Sequence, residues 1–301
     1  MTAPPDILTI DVEEWFHGHN YLHQVPPETW DEQVCRVERN TDRCLERLDR
    51  HGVRGTFFVL GWTAERYPDL VRRIGDAGHE IACHSFAHPE VFRLDESAFR
   101  ADLERALAAL SSAGVSSVAG YRAPSFSLTP PVHGYLHVLR DHGFAYDCSL
   151  FPVRHPRYGQ PAAPREPFLL DGAAAQAAGP DREPLLVLPM TTARVLGMNV
   201  GFAGGGYLRI LPRPAYRILR RIARRQGQAV VTYLHPWELD DWRPGDVGQS
   251  RLQRWRSQSG QQTVLAKLDA ILRDGTFVTM GDYAEQLRKS GKLRSRSLPL
   301  V

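Results

Sequence analysis

The sequence predicts a parallel α/β fold, with βα units wound into a single barrel that carries an insertion. Three observations predict it. Apolar strand-like runs alternate with longer helical patterns through most of the 301 residues, and that alternation builds a parallel sheet. The length fits one βα barrel, typically roughly 250 residues, better than two domains. Ionisable residues recur at the ends of the apolar runs, where such barrels gather their chemistry.

The elements follow in order. The run "ILTIDV" (7–12) precedes an amphipathic stretch with Val34, Val37, Leu45 and Leu48 at helical spacing, closed by Gly52. The strand "GTFFVLG" (55–61) leads to the helix "TAERYPDLVRRIGDAG" (63–78). "HEIAC" (79–83) leads to "DESAFRADLERALAALSSAG" (95–114), opened by an Asp95 cap. "SVAGYR" (117–122), "PPVHGYLHVLRDHG" (130–143) and "FAYDCS" (144–149) continue the pattern. After a Pro/Gly/Ala-rich segment, 152–184, it resumes with "PLLVLPM" (184–190) and "QAVVTYLH" (228–235). A helix at 263–275, a strand "TFVTM" (276–280) and a last helix finish the chain. The expected layout is a barrel over 1–240, with a loop insertion around 152–215, and an extension over 241–301 that completes the same domain.

Composition narrows the function. Apolar residues are 43% and charged residues 24%, with a net charge of +3 spread along the chain. This leaves no electrostatic footprint for nucleic acid, and the basic run "RILRRIARRQ" (217–226) reads as the solvated face of a helix. No apolar run reaches the length of a transmembrane segment, and the first residues do not resemble an export signal. The four cysteines are far apart without a CxxC pair. A cytoplasmic setting is the expectation, and the sequence is silent on oligomeric state.

The strand ends supply Asp11 and Glu13, His84, Arg122, Asp147 and His235. Asp11 and Glu13 are two apart and share one face of their strand, opposite Leu8, Ile10 and Val12. Two carboxylates side by side require a cation or a proton. Glu14 would point away if the strand continues, so Glu13 is the preferred ligand and Glu14 the alternative. Cys83 takes the face opposite His84 and reads as a small buried hydrophobe. His84 and His88, four apart, can meet one ion if a helical turn follows the strand. A carboxylate with two histidines leaves open positions on zinc, iron or cobalt, an arrangement for catalysis rather than structure.

In this order, "TIDVEEW" (9–15), "HSFAH" (84–88), "RAPS" (122–125), "YDCS" (146–149) and "YLH" (233–235) resemble the motifs of polysaccharide deacetylases, the family 4 carbohydrate esterases. The Asp-Val-Glu form of the first motif, with "GGGYLRILP" (204–212) and "HPWE" (235–238), resembles an exopolysaccharide-associated subgroup. The resemblance implies a distorted (β/α)7 barrel and a divalent metal, zinc first, with Co2+, Fe2+ or Ni2+ as alternatives. It also implies hydrolysis of an N-acetyl group on an amino sugar or glycan. By position, Asp11 matches the catalytic base, and Glu13, His84 and His88 match the metal ligands. Arg122 matches the arginine holding the base, Asp147 the acidic residue of the fourth motif, and His235 the catalytic acid. Ser125 stands where the family commonly places a tyrosine whose backbone N–H binds the oxyanion.

In that chemistry the metal polarises the amide carbonyl and lowers the pKa of its water from about 15.7 toward roughly 7. Asp11 takes the water's proton, and His235, its tautomer fixed by Asp147, protonates the departing amine. Trp15, Tyr207 and Trp237 are candidates for stacking on sugar faces, with core packing as the equal alternative. His17 and His19 read as substrate-loop residues. "GGGY" (204–207) lacks the Lys-Ser/Thr of a phosphate cradle. A related amidase acting on a small acylated metabolite, or a catalytically inactive sugar-binding barrel, are the competing readings.

Overall fold

A computed structural model describes residues 4–21, 24–170, 183–245 and 247–298; residues 171–182 of the expected insertion lie outside them. Strand β1 (Asp6–Val12) is followed by α1 (Val37–Arg50), β2 (Thr56–Val59), α2 (Gly61–Arg66) and α3 (Pro68–Asp76). The single helix expected over 63–78 is split at Pro68, which starts α3 because proline cannot donate within a helix. Next come β3 (Glu80–Cys83), α4 (Glu96–Ser112), β4 (Gly120–Tyr121), α5 (Leu136–Asp141) and β5 (Tyr146–Asp147). Asp95 caps α4 as expected, accepting from the Ala98 N–H at 2.8 Å. Strands β6 (Phe168–Leu170) and β7 (Leu186–Val187) precede the hairpin of β8 (Thr192–Val195) and β9 (Met198–Gly201). Helices α6 (Gly205–Ile210) and α7 (Arg213–Arg225) lead to β10 (Val230–Leu234). The chain ends with α8 (Arg251–Gln258), α9 (Val264–Asp274), α10 (Met280–Lys289) and β11 (Arg294–Arg296).

The sheet order is β10-β1-β2-β3-β4-β5-β7-β6-β11. The first seven run parallel, and β6 joins β7 antiparallel. No ladder joins β7 to β10 among the described residues. The Thr191 hydroxyl spans that seam, accepting from Val231 N–H at 2.8 Å and donating to the Ala229 carbonyl at 2.9 Å. The expected strand over 276–280 does not form. Phe277 makes one bridge to Asp6, and Met280 begins α10, whose N-terminal amides bond Thr56 Oγ1 and Glu80 Oε2.

Period-two alternation divides the core into two layers. Ile7, Phe58, Ala82, Tyr146, Leu186, Val231 and Tyr233 fill the inner one. Leu8, Ile10, Val12, Phe57, Val59, Cys83, Tyr121, Val187 and Leu234 face outward against the helices. Thr9, Asp11 and Glu13 share the parity of Ile7 and so project inward. The basic face of α7 is largely engaged: Arg220 and Arg224 pair with buried Asp6, and Arg217 with Asp274. Gly204 and Gly205 allow the chain to lie against Tyr233; a Cβ at Gly204 would come within 2.3 Å of it. Among the described residues no helix is long and apolar enough to cross a membrane.

Candidate active site and metal centre

At the C-terminal end of the parallel strands, Glu13, His84 and His88 each offer a ligand atom, all within 4.8 Å of one another. All three side chains are buried. Glu13 Oε2 lies 2.9 Å from His88 Nε2 and 3.9 Å from His84 Nε2, yet no donor among the described residues meets it in hydrogen-bond geometry. A buried carboxylate oxygen without a donor is costly, and lone pairs converging on one point are satisfied by a cation. His84 Nδ1 bonds the Arg122 carbonyl at 2.8 Å. A carbonyl only accepts, so Nδ1 carries the proton and Nε2 is left with its lone pair, the usual tautomer of a metal-bound histidine. Burial, reinforced by His88, lowers the His84 pKa to about 4 against the pull of Asp11 and Glu13. Burial would raise the Glu13 carboxyl, but His88 and then His235 outweigh it and hold it well below the usual carboxylate range. The Glu13 carboxylate, the lone pair of His84 Nε2 and His88 beside them form a donor set that fits a divalent cation.

The loop between these histidines is held in shape. Ser85 and His88 take φ values of 69° and 57°, in a region where non-glycine residues are uncommon. Ser85 Oγ accepts from the His88 N–H at 3.2 Å, and Asp102 of α4 accepts from Phe86 N–H at 3.0 Å and Ala87 N–H at 3.4 Å. Glu14, with opposite parity to Glu13, points outward. Its Oε1 accepts from the Arg36 and Val37 amides at the start of α1, Val37 at 2.6 Å. It serves as that helix's cap, and Glu13 takes the place in the histidine cluster.

Asp11 is gripped by fully buried Arg122, Nη1 to Oδ1 at 2.6 Å. Arg122 also donates to Thr9 Oγ1 at 2.8 Å and lies over the Phe58 ring at 4.1 Å. The same residue therefore fixes both the acid on β1 and, through its carbonyl, the histidine after β3. Ser125, three residues on, adopts φ 52° in the loop beside this pair.

His235 follows β10, with Nε2 3.7 Å from Glu13 Oε1. Its orienting partner differs from the one expected. Asp147 accepts from Ser149 Oγ at 2.5 Å and Ser149 N–H at 3.1 Å, while Ser149 Oγ in turn accepts from Ala123 N–H at 2.8 Å. The Asp147 carboxylate thus braces the loop after β4. In the sheet order β5 and β10 are not neighbours, which places β7 and the seam between Asp147 and His235. Glu238 takes the orienting position: its Oε2 accepts from His235 Nδ1–H at 3.1 Å and from the His235 N–H at 3.0 Å. Glu238 Oε1 faces Arg209 Nε at 3.0 Å, and both side chains are buried. Burial alone would lower the His235 pKa, but Glu13, followed by the Glu238 hydrogen bond, raises it to about 9. Burial pushes the Asp147 carboxyl up to about 6 despite Ser149. Arg209 and Glu238 were absent from the expected site; the detectable signal was the i, i+3 spacing within "HPWE".

The aromatic candidates separate. Trp15 is core rather than a sugar platform: it is 5% exposed, packs edge-on against Phe16 and Tyr21, and donates Nε1–H to the Val34 carbonyl at 3.1 Å. Trp237 borders the site, stacked on His235 at 5.1 Å with its Nε1–H 3.4 Å from Glu13 Oε1. Tyr207 stands one layer out, against Phe151 at 6.2 Å. His17 is fully buried beside His88, and its Nδ1 accepts from the Glu14 N–H at 2.9 Å. His19 instead pairs with Glu90 at 2.9 Å.

Comparison with known proteins finds two family matches that together span most of the chain. Residues 19–146 match the family described as polysaccharide deacetylase, and residues 148–285 match a domain of unknown function, DUF3473. Asp11 and Glu13 precede the first stretch, His84, His88 and Arg122 lie in it, and His235 and Glu238 lie in the second. A peptidoglycan-N-acetylglucosamine deacetylase of Bacillus cereus is 36% identical over 91 residues, 30% of each chain. A chitooligosaccharide deacetylase of Rhizobium leguminosarum bv. trifolii is 38% identical over 73 residues, 24% of this chain and 34% of that one. The match thus spans about a third of these relatives' length. A crystal structure from Mycobacterium smegmatis, provisionally described as a polysaccharide deacetylase, superposes with a TM-score of 0.66 at 25% identity. It covers 99% of this chain and 94% of that one. Residues 19–146 are thus similar to the polysaccharide deacetylase family, and residues 148–285 to a domain family described as of unknown function.

Proposed function

We propose that the protein is a metal-dependent N-deacetylase that hydrolyses the acetamide of an N-acetylated amino sugar within a glycan. The observation that carries this reading is the buried Glu13–His84–His88 donor cluster, with Asp11–Arg122 and His235 around it on one end of the barrel. Zinc suits a carboxylate–bis-imidazole donor set, and when bound it supplies Lewis acidity to an amide carbonyl and to water. Asp11, held by Arg122 Nη1 at 2.6 Å, accepts the proton of the attacking water. The Ser125 N–H donates to the oxygen that gains charge, a contribution of roughly 3–4 kcal/mol for a well-placed donor. His235, held by Glu238, gives a proton to the departing amine.

The relatives named for peptidoglycan and chitooligosaccharides support an N-acetylated glycan over a small acylated metabolite. The Asp-Val-Glu first motif supports an exopolysaccharide as the polymer. The test is acetate release from N-acetylglucosamine oligomers after chelation and re-addition of zinc, with Asp11→Asn in parallel. Zinc-restored release that vanishes in Asp11→Asn is the expected result. A metal-loaded enzyme that releases no acetate from any N-acetylated glycan would refute the reading.

A further inference from the structure

A groove of about 920 Å³ carries charge of one sign. Among the described residues four arginines line it, Arg154, Arg165, Arg194 and Arg296, against a single acid, Glu166. The segment 153–166 follows β5 and the β8–β9 hairpin follows β7; Arg165 and Arg194 bond Gln226 ahead of β10, while Tyr207 marks the end of the groove nearer the site. Tyr207 lines the groove and contacts Phe151, which in turn meets Tyr233 at 6.5 Å, two residues before His235. Two side chains, Phe151 and Tyr233, therefore separate the Tyr207 end of the groove from His235.

The arginines are not used up by the fold. Glu166 lies 3.9 Å from Arg296 and is 73% exposed. Arg165 is fixed rigidly, but only to neutral acceptors: Thr192 Oγ1 and carbonyl, Gln226 and Gln228. Arg154 and Arg194 are exposed and make no ion pair among the described residues. Arg157, in the same loop, has its Nη1 buried without a hydrogen-bond partner. Burial, then the neighbouring charge of Arg194, lowers the Arg165 pKa, and Glu166 offsets this only in part. A cleft lined by one sign of charge concentrates ligands of the other sign, and guanidinium matches the planar geometry of oxyanions.

We infer that this groove binds an oxyanion-bearing portion of the substrate, the carboxylate of an acidic sugar or the phosphate of a phosphate-linked one, further along the molecule from the N-acetylated residue. The inference rests on the deacetylase reading for its substrate and extends it by giving the glycan a charge. A neutral homopolymer would leave the arginines with nothing to recognise.

The test is equilibrium binding to the zinc-loaded full chain carrying Asp11→Asn, which stops turnover. The probes are neutral chitotetraose, a tetrasaccharide alternating N-acetylglucosamine and glucuronic acid, and UDP-N-acetylglucosamine. At about 50 mM salt, at least one anionic probe is expected to bind about tenfold tighter than chitotetraose. That ratio should fall toward one in about 0.5 M salt, where screening is short-ranged, and in Arg154→Glu/Arg194→Glu, whose folding is checked by circular dichroism. Preference for the glucuronate probe alone assigns the groove to acidic sugars, and preference for UDP-N-acetylglucosamine alone assigns it to phosphate. Equal binding of all three, or a ratio unchanged in the double variant, overturns the inference. Acetate release by the wild-type enzyme is scored separately, so loss of the deacetylase reading leaves the binding ratio as an independent result.

Discussion

Replacing Glu238 by Gln tests which acid governs His235. The substitution keeps the shape and a hydrogen-bond acceptor 3.1 Å from Nδ1 but removes the charge. Two unit charges about 4 Å apart interact by about 4 kcal/mol at an effective dielectric constant of about 20, an upper bound of roughly three pKa units. Since the amide still accepts a hydrogen bond, a fall of one to two units is expected, about 1.4–2.7 kcal/mol. The sign follows from charge: an anion favours imidazolium, so its removal lowers the His235 pKa from its raised position near 9. A general acid works only while protonated, so the alkaline limb of the kcat profile should move to lower pH by one to two units. At pH 8 kcat should drop about 2- to 10-fold, because the protonated fraction of His235 falls from about nine-tenths to between a half and a tenth. A cation bound at Glu13 offsets that residue's charge, so both enzymes are compared zinc-loaded. Arg209 also loses its counterion, and about 3 kcal/mol of stability should go with it; circular dichroism at the assay temperature establishes that the variant is folded. Asp147→Asn is the control. An alkaline limb that stays in place in Glu238→Gln but moves in Asp147→Asn would refute the assignment.

Other outcomes follow from the same geometry. Glu13→Gln should weaken zinc binding more than about 100-fold, whereas Glu14→Gln should retain zinc, read by metal analysis, and lose about 1–2 kcal/mol of unfolding free energy through the α1 cap. Asp102→Ala, which frees the Phe86 and Ala87 amides, should lower zinc affinity about tenfold by loosening the loop that carries His88; unchanged affinity would remove Asp102 from the site's support. Asp147 has a folded pKa of about 6, above its unfolded value, so its buried charge costs stability once it ionises. The unfolding free energy of wild type minus that of Asp147→Asn should therefore decline by about 3 kcal/mol as pH rises from about 4 to about 6, then level off. A difference that rises over that window would contradict the burial argument.

What the sequence determined by itself was whatever backbone periodicity dictates. Along β1 the alternation sends Asp11 and Glu13 inward and Glu14 outward, and it separates Cys83 from His84, because successive side chains on a strand take opposite faces. Helix capping by Asp95 is equally local. Which residues meet across the barrel depends on tertiary structure. The sheet order puts β7 and the seam between β5 and β10, so Asp147 braces the loop after β4 and Glu238 holds His235. Trp15 is core because Phe16, Tyr21 and Trp242 close around it, contacts that no spacing in the sequence encodes. The arginine groove is likewise a product of the fold: its charges come from positions 154, 165, 194 and 296 and are scattered in the sequence. Only the close approach of the loops after β5 and β7 and the last strand gathers them in one groove.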